Sequence, residues 1–145
     1  MRARQAGNEA SAMSSLRAVN SAQSIFAASC GSGFYSPSLS NLGTAPAGGT
    51  AFISPDLSTG DTVIKSAYSV TMGSSTGVAP DAPASCNGLA AGGVVQGYNA
   101  TATPTAGGGT RAFGTNTTGT IFQAVQQAAL AMTDTTAPAG ATPIQ

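Results

Sequence analysis

Between residues 2 and 30 the larger side chains recur at alternating steps of four and three: Ala12, Leu16, Val19, Gln23, Phe26 and Cys30. At helical period that spacing puts all six on one narrow face. Arg4, Ser11, Ser14, Ser15, Ser21 and Ser24 are expected on the opposite side. Nothing after Gly7 interrupts the run until Gly31 and Gly33, which can supply the left-handed residue that ends a helix. The pattern predicts a helical spine of about 40 Å, at roughly 1.5 Å per residue, with Leu16, Val19 and Phe26 as its contacts to a sheet. Its first three turns carry only alanines as apolar groups, so a small sheet should cover just the second half. The front end is then expected to fray or to continue upstream, and Met1 followed directly by Arg-Ala-Arg reads as an artificial start.

Further along, the period changes to two. In residues 61–72, Ile64, Tyr68, Val70 and Met72 share one parity, and Val63, Lys65, Ala67, Ser69 and Thr71 share the other. That predicts one strand with a face for the spine and a face for water. Residues 94–103 alternate likewise, with Val94, Tyr98, Ala100 and Ala102 on one side, and should pair antiparallel with the first strand. A short strand centred on Phe113 spans 110–114. Asn116-Thr117-Thr118-Gly119 then reads as a turn into 120–123, where Ile121 and Phe122 close the sheet as a hairpin.

Residues 31–60 form a variable loop region between helix and sheet. A helical turn over 38–42 drops Leu39 and Leu42 on the spine, and Phe52, Ile53 and Leu57 plug a stretch otherwise punctuated by Pro and Gly. Residues 124–132 have the spacing of a short helix, with Val125, Ala128, Ala129 and Met132 on one face, and 133–145 reads as a flexible C-terminal tail. The expected domain spans 1–132 and is of α+β class: a long N-terminal spine helix over 1–30, packed on a small antiparallel β-sheet of three to four strands within 61–123.

Composition narrows the functions open to such a chain. Of its 145 residues 41% are hydrophobic, much of that alanine, with no Trp, five Phe and three Tyr, enough for one small core. Only 7% are charged and the net charge is zero, against about a quarter charged in ordinary soluble domains. The basic residues Arg2, Arg4, Arg17, Lys65 and Arg111 form no cluster, so no nucleic-acid partner is expected. There is no His, and the acids Glu9, Asp56, Asp61, Asp81 and Asp134 are scattered. Neither a nucleophile with its base nor a carboxylate pair is in view, so no enzyme activity and no cofactor are expected.

The glycine clusters at 48–49, 92–93 and 107–109 lack the Lys and Ser/Thr of a phosphate cradle. Asp81, Asn87 and Asp134 could lend oxygens to calcium, but no ladder of alternating Asp and Asn is present, and turn residues are the plainer reading. Asn99-Ala-Thr101 and Asn116-Thr-Thr118 fit the N-glycosylation pattern. Two cysteines without Cys or His neighbours make a poor metal site. Cys30 and Cys86 read as a disulfide formed in an oxidising compartment, with free or redox-active thiols as the alternative. Closing so long a loop contributes about 4 kcal/mol by the chain-entropy relation.

The residues also carry a family resemblance. Arg-Ala-Arg-Gln-Ala-Gly-Asn-Glu-Ala-Ser-Ala over 2–12, with Ser-Leu-Arg-Ala-Val-Asn-Ser-Ala-Gln over 15–23, is similar to the segment just after the membrane-spanning part of the first helix in type IV pilins and type II secretion pseudopilins. Leu-Gly-Thr-Ala-Pro over 42–46, Lys-Ser-Ala-Tyr-Ser-Val-Thr-Met over 65–72, Tyr-Asn-Ala-Thr-Ala-Thr-Pro over 98–104, and Thr-Arg-Ala-Phe-Gly-Thr-Asn over 110–116 with Gly119 resemble successive later blocks. The likeness runs to Gln123. The family signature, a cleavage site followed by about twenty apolar residues, does not occur in the sequence. The cysteines lie at the helix end and mid-chain, whereas many pilins close a C-terminal loop with theirs.

The resemblance implies a pilin-like head: a structural subunit of a bacterial type IV pilus or pseudopilus filament, on the cell surface or in the periplasm. Its precursor would be anchored in the inner membrane by the missing N-terminal segment and processed by a prepilin peptidase. Partners would be further copies and other pilins or pseudopilins, engaged through the N-terminal helix. Arg4, Glu9 and Arg17 are the candidate filament-packing residues; Glu9 would meet Arg4 or Arg17 of a neighbouring helix, or else lie on a solvated face. The rival is a secreted or surface binding module, such as an adhesin, using the loop between Gly73 and Gly93. It would expose Tyr35, Tyr68 or Tyr98 together in a groove, whereas a filament subunit buries or scatters those rings.

Overall fold

A computed structural model describes residues 2–144; Met1, read above as an artificial start, and Gln145, in the expected tail, lie outside them. The helical period is realised as α1 (Arg2–Ser29), which buries Ala12, Leu16, Val19, Ala22 and Phe26. Gln23 is fully buried in the same stripe because its amide pairs both ways with the backbone of Ser36. Its Nε2 donates to the Ser36 carbonyl, and the Ser36 amide donates to its Oε1, each at 2.8 Å, which satisfies the buried polar atoms much as a strand neighbour would. Ser15, expected on the outer side, is buried too. Past the helix end, Ser32 (φ 56°) and Gly33 (φ 91°) take left-handed backbone, and the Gly33 amide reaches back to the Ala27 carbonyl.

Six strands follow: β1 (Thr62–Lys65), β2 (Tyr68–Gly73), β3 (Asn99–Pro104), β4 (Ala112–Asn116), β5 (Ile121–Ala124) and β6 (Thr142–Ile144). They pair in sequence order, all antiparallel, in one sheet. This overturns the expected architecture of a long spine helix on three to four strands. The sheet has six, beside a single long helix of 28 residues and the one-turn α2 (Leu39–Leu42).

Two stretches supply the additional strands. Residues 61–72 are a hairpin, because Ser66 (φ 51°) and Ala67 (φ 61°) make a two-residue left-handed turn that sets Lys65 opposite Tyr68 and Val63 opposite Val70. The turn flips the facing of β1, so Val63 is buried while Ile64, assigned to the core face by parity, is 70% exposed. Of residues 133–145, read as a flexible tail, Thr142–Ile144 instead pair as β6, with Ile144 opposite Ile121. The short helix expected over 124–132 is not formed either; that stretch is irregular beyond Ala124. The alternation over 94–103 yields a strand only from Asn99, and Val95 instead bridges Tyr35 and Val78.

One face of the sheet packs Tyr68, Val70, Ala100, Ala102 and Phe113 into the core shared with α1. From the loop region Leu39, Leu42, Ile53 and Leu57 join it as expected, and Phe52 meets Phe26 edge-on at 5.4 Å between ring centroids. The opposite face of β3 and β4 is crossed by residues 130–136 as a strap, which meets Asn99, Gly114 and Asn116. All five residues of β4 are buried between these layers. At the crossing β4 has Gly114, where a Cβ would lie 2.6 Å from Met132 Cγ. The 14.0 kDa chain exposes 6710 Å², matching the roughly 6,700 Å² expected of a folded monomer of that mass. Helix α1 therefore lies along the body rather than standing off it.

Candidate functional site

The front of α1, expected to fray or to continue upstream for want of apolar groups, is held by polar ones. Gln5 Nε2 and Asn8 Nδ2 donate to the carbonyls of Gly107 and Gly108 at 3.4 and 3.0 Å. Glu9 is only 7% exposed. It accepts from the Thr110 amide at 2.9 Å and from Arg111 Nε and Nη2 at 3.0 and 2.8 Å, the fork geometry that makes Arg–carboxylate pairs strong. Burial would raise the Glu9 pKa, but the Thr110 amide and the Arg111 guanidinium outweigh it and hold the carboxyl below its usual range. Arg111 also reaches Gln123 and lies 5.2 Å over the Phe113 ring. The reading of Glu9 as a partner for the Arg4 or Arg17 of a neighbouring helix, or as a solvated residue, is thereby corrected: its carboxylate is committed within the chain. Arg4 and Arg17 are exposed on the outer side of α1.

The three tyrosines divide. Tyr68 is fully buried and donates to the Arg111 carbonyl at 2.5 Å; burial, with the Glu9 charge nearby, pushes its hydroxyl up to about 12. Tyr35 and Tyr98 come together, 5.1 Å between centroids, along an open depression of about 460 Å³ between α1 and the β4–β5 turn. Asn20, Ser24 and Thr117 supply its polar lining. Tyr98 donates to Asn20 Oδ1 at 2.8 Å while Asn20 Nδ2 donates to Thr115 Oγ1 at 2.9 Å, and burial, followed by the neighbouring Tyr35, pushes the Tyr98 hydroxyl further up. A second depression of about 610 Å³ continues past Asn20 and Gly119 to Pro143 and Ile144, with Arg17 at its rim.

The loop between Gly73 and Gly93, the binding edge of the rival reading, is engaged internally at its start. The Ser75 and Thr76 amides donate to the Asp134 carboxylate at 3.1 and 2.9 Å. The Ser74 and Thr76 hydroxyls add bonds of 3.3 and 2.6 Å, and Asn99 Nδ2 one of 2.8 Å. Asp134, assigned to an exposed tail, is 1% exposed. Burial alone would raise its pKa; the donors of Thr76, Ser75 and Asn99 prevail and bring it down to about 2.

The calcium trio is not assembled. Asp81 is exposed, Asn87 donates to the Asn41 and Thr44 carbonyls, and Asp134 sits in its own cradle. Among the described residues no group of three or more His, Cys, Asp or Glu is placed to hold a metal. Both asparagines of the glycosylation patterns are engaged within the chain: Asn99, half-buried, binds Asp134, and Asn116, fully buried, donates to the Thr133 and Thr136 carbonyls. Cys30 and Cys86 are joined in a disulfide, 4.8 Å between Cα atoms, and the free-thiol alternative is excluded. Sequence reasoning missed Asp134 as an anchor and Arg111 and Asn116 as partners. The one local signal was the Ser-Ser-Thr-Gly run over 74–77, whose hydroxyls and amides are apt for cradling an anion.

No family model, curated protein or solved structure matches the chain. Among the described residues no helix is long and apolar enough to cross a membrane.

Proposed function

We propose that the protein is the exported head of a structural subunit of a bacterial type IV pilus or type II secretion pseudopilus, which assembles through α1 and carries out no chemistry of its own. The observation that carries this reading is the outer face of α1. Ala3, Gly7, Ala10, Ser14, Arg17, Ser21, Ser24 and Ala28 are all exposed and recur at alternating steps of four and three. A stripe at that period runs nearly straight along a helix, and with small residues it lets a second helix approach closely. Arg4 and Arg17 are the charged groups beside and on it, while Glu9 belongs to the inner scaffold. The disulfide is in keeping with a cell-surface or periplasmic location, and the resemblance of residues 2–23 supplies the filament context, including an apolar segment upstream that anchors the precursor in the inner membrane.

The test is to express the full reading frame in its host with Ser14→Trp or Ser21→Trp on the stripe. Both side chains are exposed, so the head should fold and form its disulfide, while incorporation into filaments sheared from the cells falls at least tenfold. A wild-type chain that is released as a soluble monomer and never found in filaments overturns the reading. The rival binding module would expose its tyrosines together, but Tyr98 is 3% exposed and Tyr68 fully buried, which leaves Tyr35 alone at the depression to serve it. On that reading Tyr35→Ala abolishes cell attachment and leaves filament content unchanged.

A further inference from the structure

The strap over residues 130–136 is seated like a ligand. Its seat is built entirely from other parts of the chain: the amides and hydroxyls of residues 74–76, the Asn99 and Asn116 amides, and two glycines. At Gly97 a Cβ would lie 2.9 Å from Asp134 Oδ2, and at Gly114 one would meet Met132 Cγ at 2.6 Å. Both positions are open only because the side chain is missing. Leu130 is 4% exposed in this seat and Asp134 1%.

The connection into the strap is of a different character. Val125 is 82% exposed, and Gln127, Ala128 and Ala129 are exposed with it. Gln127 Nε2 bonds to the Gly109 carbonyl at 3.0 Å, while Gln126 bonds within the connection itself. The disulfide closes the chain between residues 30 and 86 and leaves the strap outside the covalent loop.

We propose that this outer face of the sheet is an exchange site, which takes the strap of a second copy of the chain in place of its own. Nothing in the seat distinguishes the two, since every contact is to the strap's sequence and none to its covalent attachment. An exchanged strap would also bring Thr142–Ile144 to the edge of the neighbour's β5, completing that sheet by strand addition. A tethered segment competes with an effective concentration in the millimolar range. The chain therefore keeps its own strap in dilute solution and exchanges where copies are held side by side at comparable local concentration. The proposal stands on the seat alone and does not depend on the filament reading.

The probe is a fluorescent peptide of residues 129–144, added to the full-length chain carrying Asp134→Ala, whose own strap has lost its anchor. It should bind saturably and at least tenfold more tightly than to the wild-type chain. The same peptide carrying Asp134→Ala should bind at least tenfold more weakly. A folded receiver with its disulfide intact that takes up neither peptide, or both equally, overturns the proposal. Should the receiver not fold, the wild-type chain answers by hydrogen exchange at millimolar peptide. Displacement raises exchange over residues 130–136 while the Ser75 and Thr76 amides stay protected, and only with the Asp134 peptide. Unchanged exchange over 130–136 is the overturning result.

Discussion

Asp134 and Glu9 are the two carboxylates the fold encloses, and they are held by different means. Glu9 has a full countercharge in Arg111, whereas Asp134 is met by neutral donors alone, two amides, two hydroxyls and an Asn side chain. The folded pKa of Asp134 is down to about 2 against an ordinary value of 3.8. Its contribution is therefore fully present above pH 3.8 and is lost as pH falls towards 2, about 2 kcal/mol in all at 1.36 kcal/mol per unit. Glu9 is shifted in the same direction and adds to the acid loss in the same sense. Urea titrations from pH 7 to pH 2 should show wild-type stability falling below pH 4, and Asp134→Asn starting about 2 kcal/mol lower and falling less. Equal stabilities at pH 7 would show that the cradle contributes nothing. At the other end of the scale the neutral hydroxyls of Tyr68 and Tyr98 are favoured by folding. Their share is intact below the ordinary value of 10 and is lost as pH rises beyond it, so unfolding in alkali should begin there and be delayed in Tyr98→Phe.

At the scale of elements, legibility followed periodicity. Helix α1 could be read because Leu16, Val19 and Phe26 repeat at one period over several turns, and Leu39, Leu42, Ile53 and Leu57 because large apolar groups are sparse in a stretch of Ser, Thr, Gly and Pro. Leu16→Ala should accordingly cost about 2–5 kcal/mol in urea unfolding, as for a fully enclosed leucine. The hairpin of β1 and β2 was illegible because its turn is written Ser66-Ala67, neither of them a residue that favours positive φ, and parity runs through it unbroken. That mismatch is itself a prediction. Ser66→Asn with Ala67→Gly should stabilise the chain by about 1 kcal/mol, read from the urea midpoint, since both positions would then suit the left-handed turn. The strap was illegible for another reason. It is held mainly by polar contacts to residues about 20 to 60 positions away, and its Thr, Ala and Pro composition is that of a tail. Glu9 and Arg111, 102 residues apart, are of the same kind: burial of a polar group by a distant partner leaves no local pattern.

For the whole molecule the question is what keeps so alanine-rich a chain folded. Its large enclosed side chains are few, headed by Tyr68, Phe26, Phe113 and Leu16, and domains of this size retain only about 5–15 kcal/mol of net stability. The disulfide closes a separation of 56 residues, which restricts the unfolded chain by about 4 kcal/mol. It also ties the C-terminal end of α1 to the loop that cradles Asp134, and the ring it closes holds the loop region of 31–60, β1, β2 and residues 74–76 of the seat. Cys30→Ala with Cys86→Ala removes the ring without leaving a thiol. A loss of about 4 kcal/mol in urea unfolding is expected, with far-ultraviolet dichroism of the folded state unchanged, because α1 and all five strand pairings are built from other contacts. A loss below about 1 kcal/mol would mean that the unfolded chain is already confined and that the ring adds little. The expected loss would place reduction among the strongest levers on the stability of this fold.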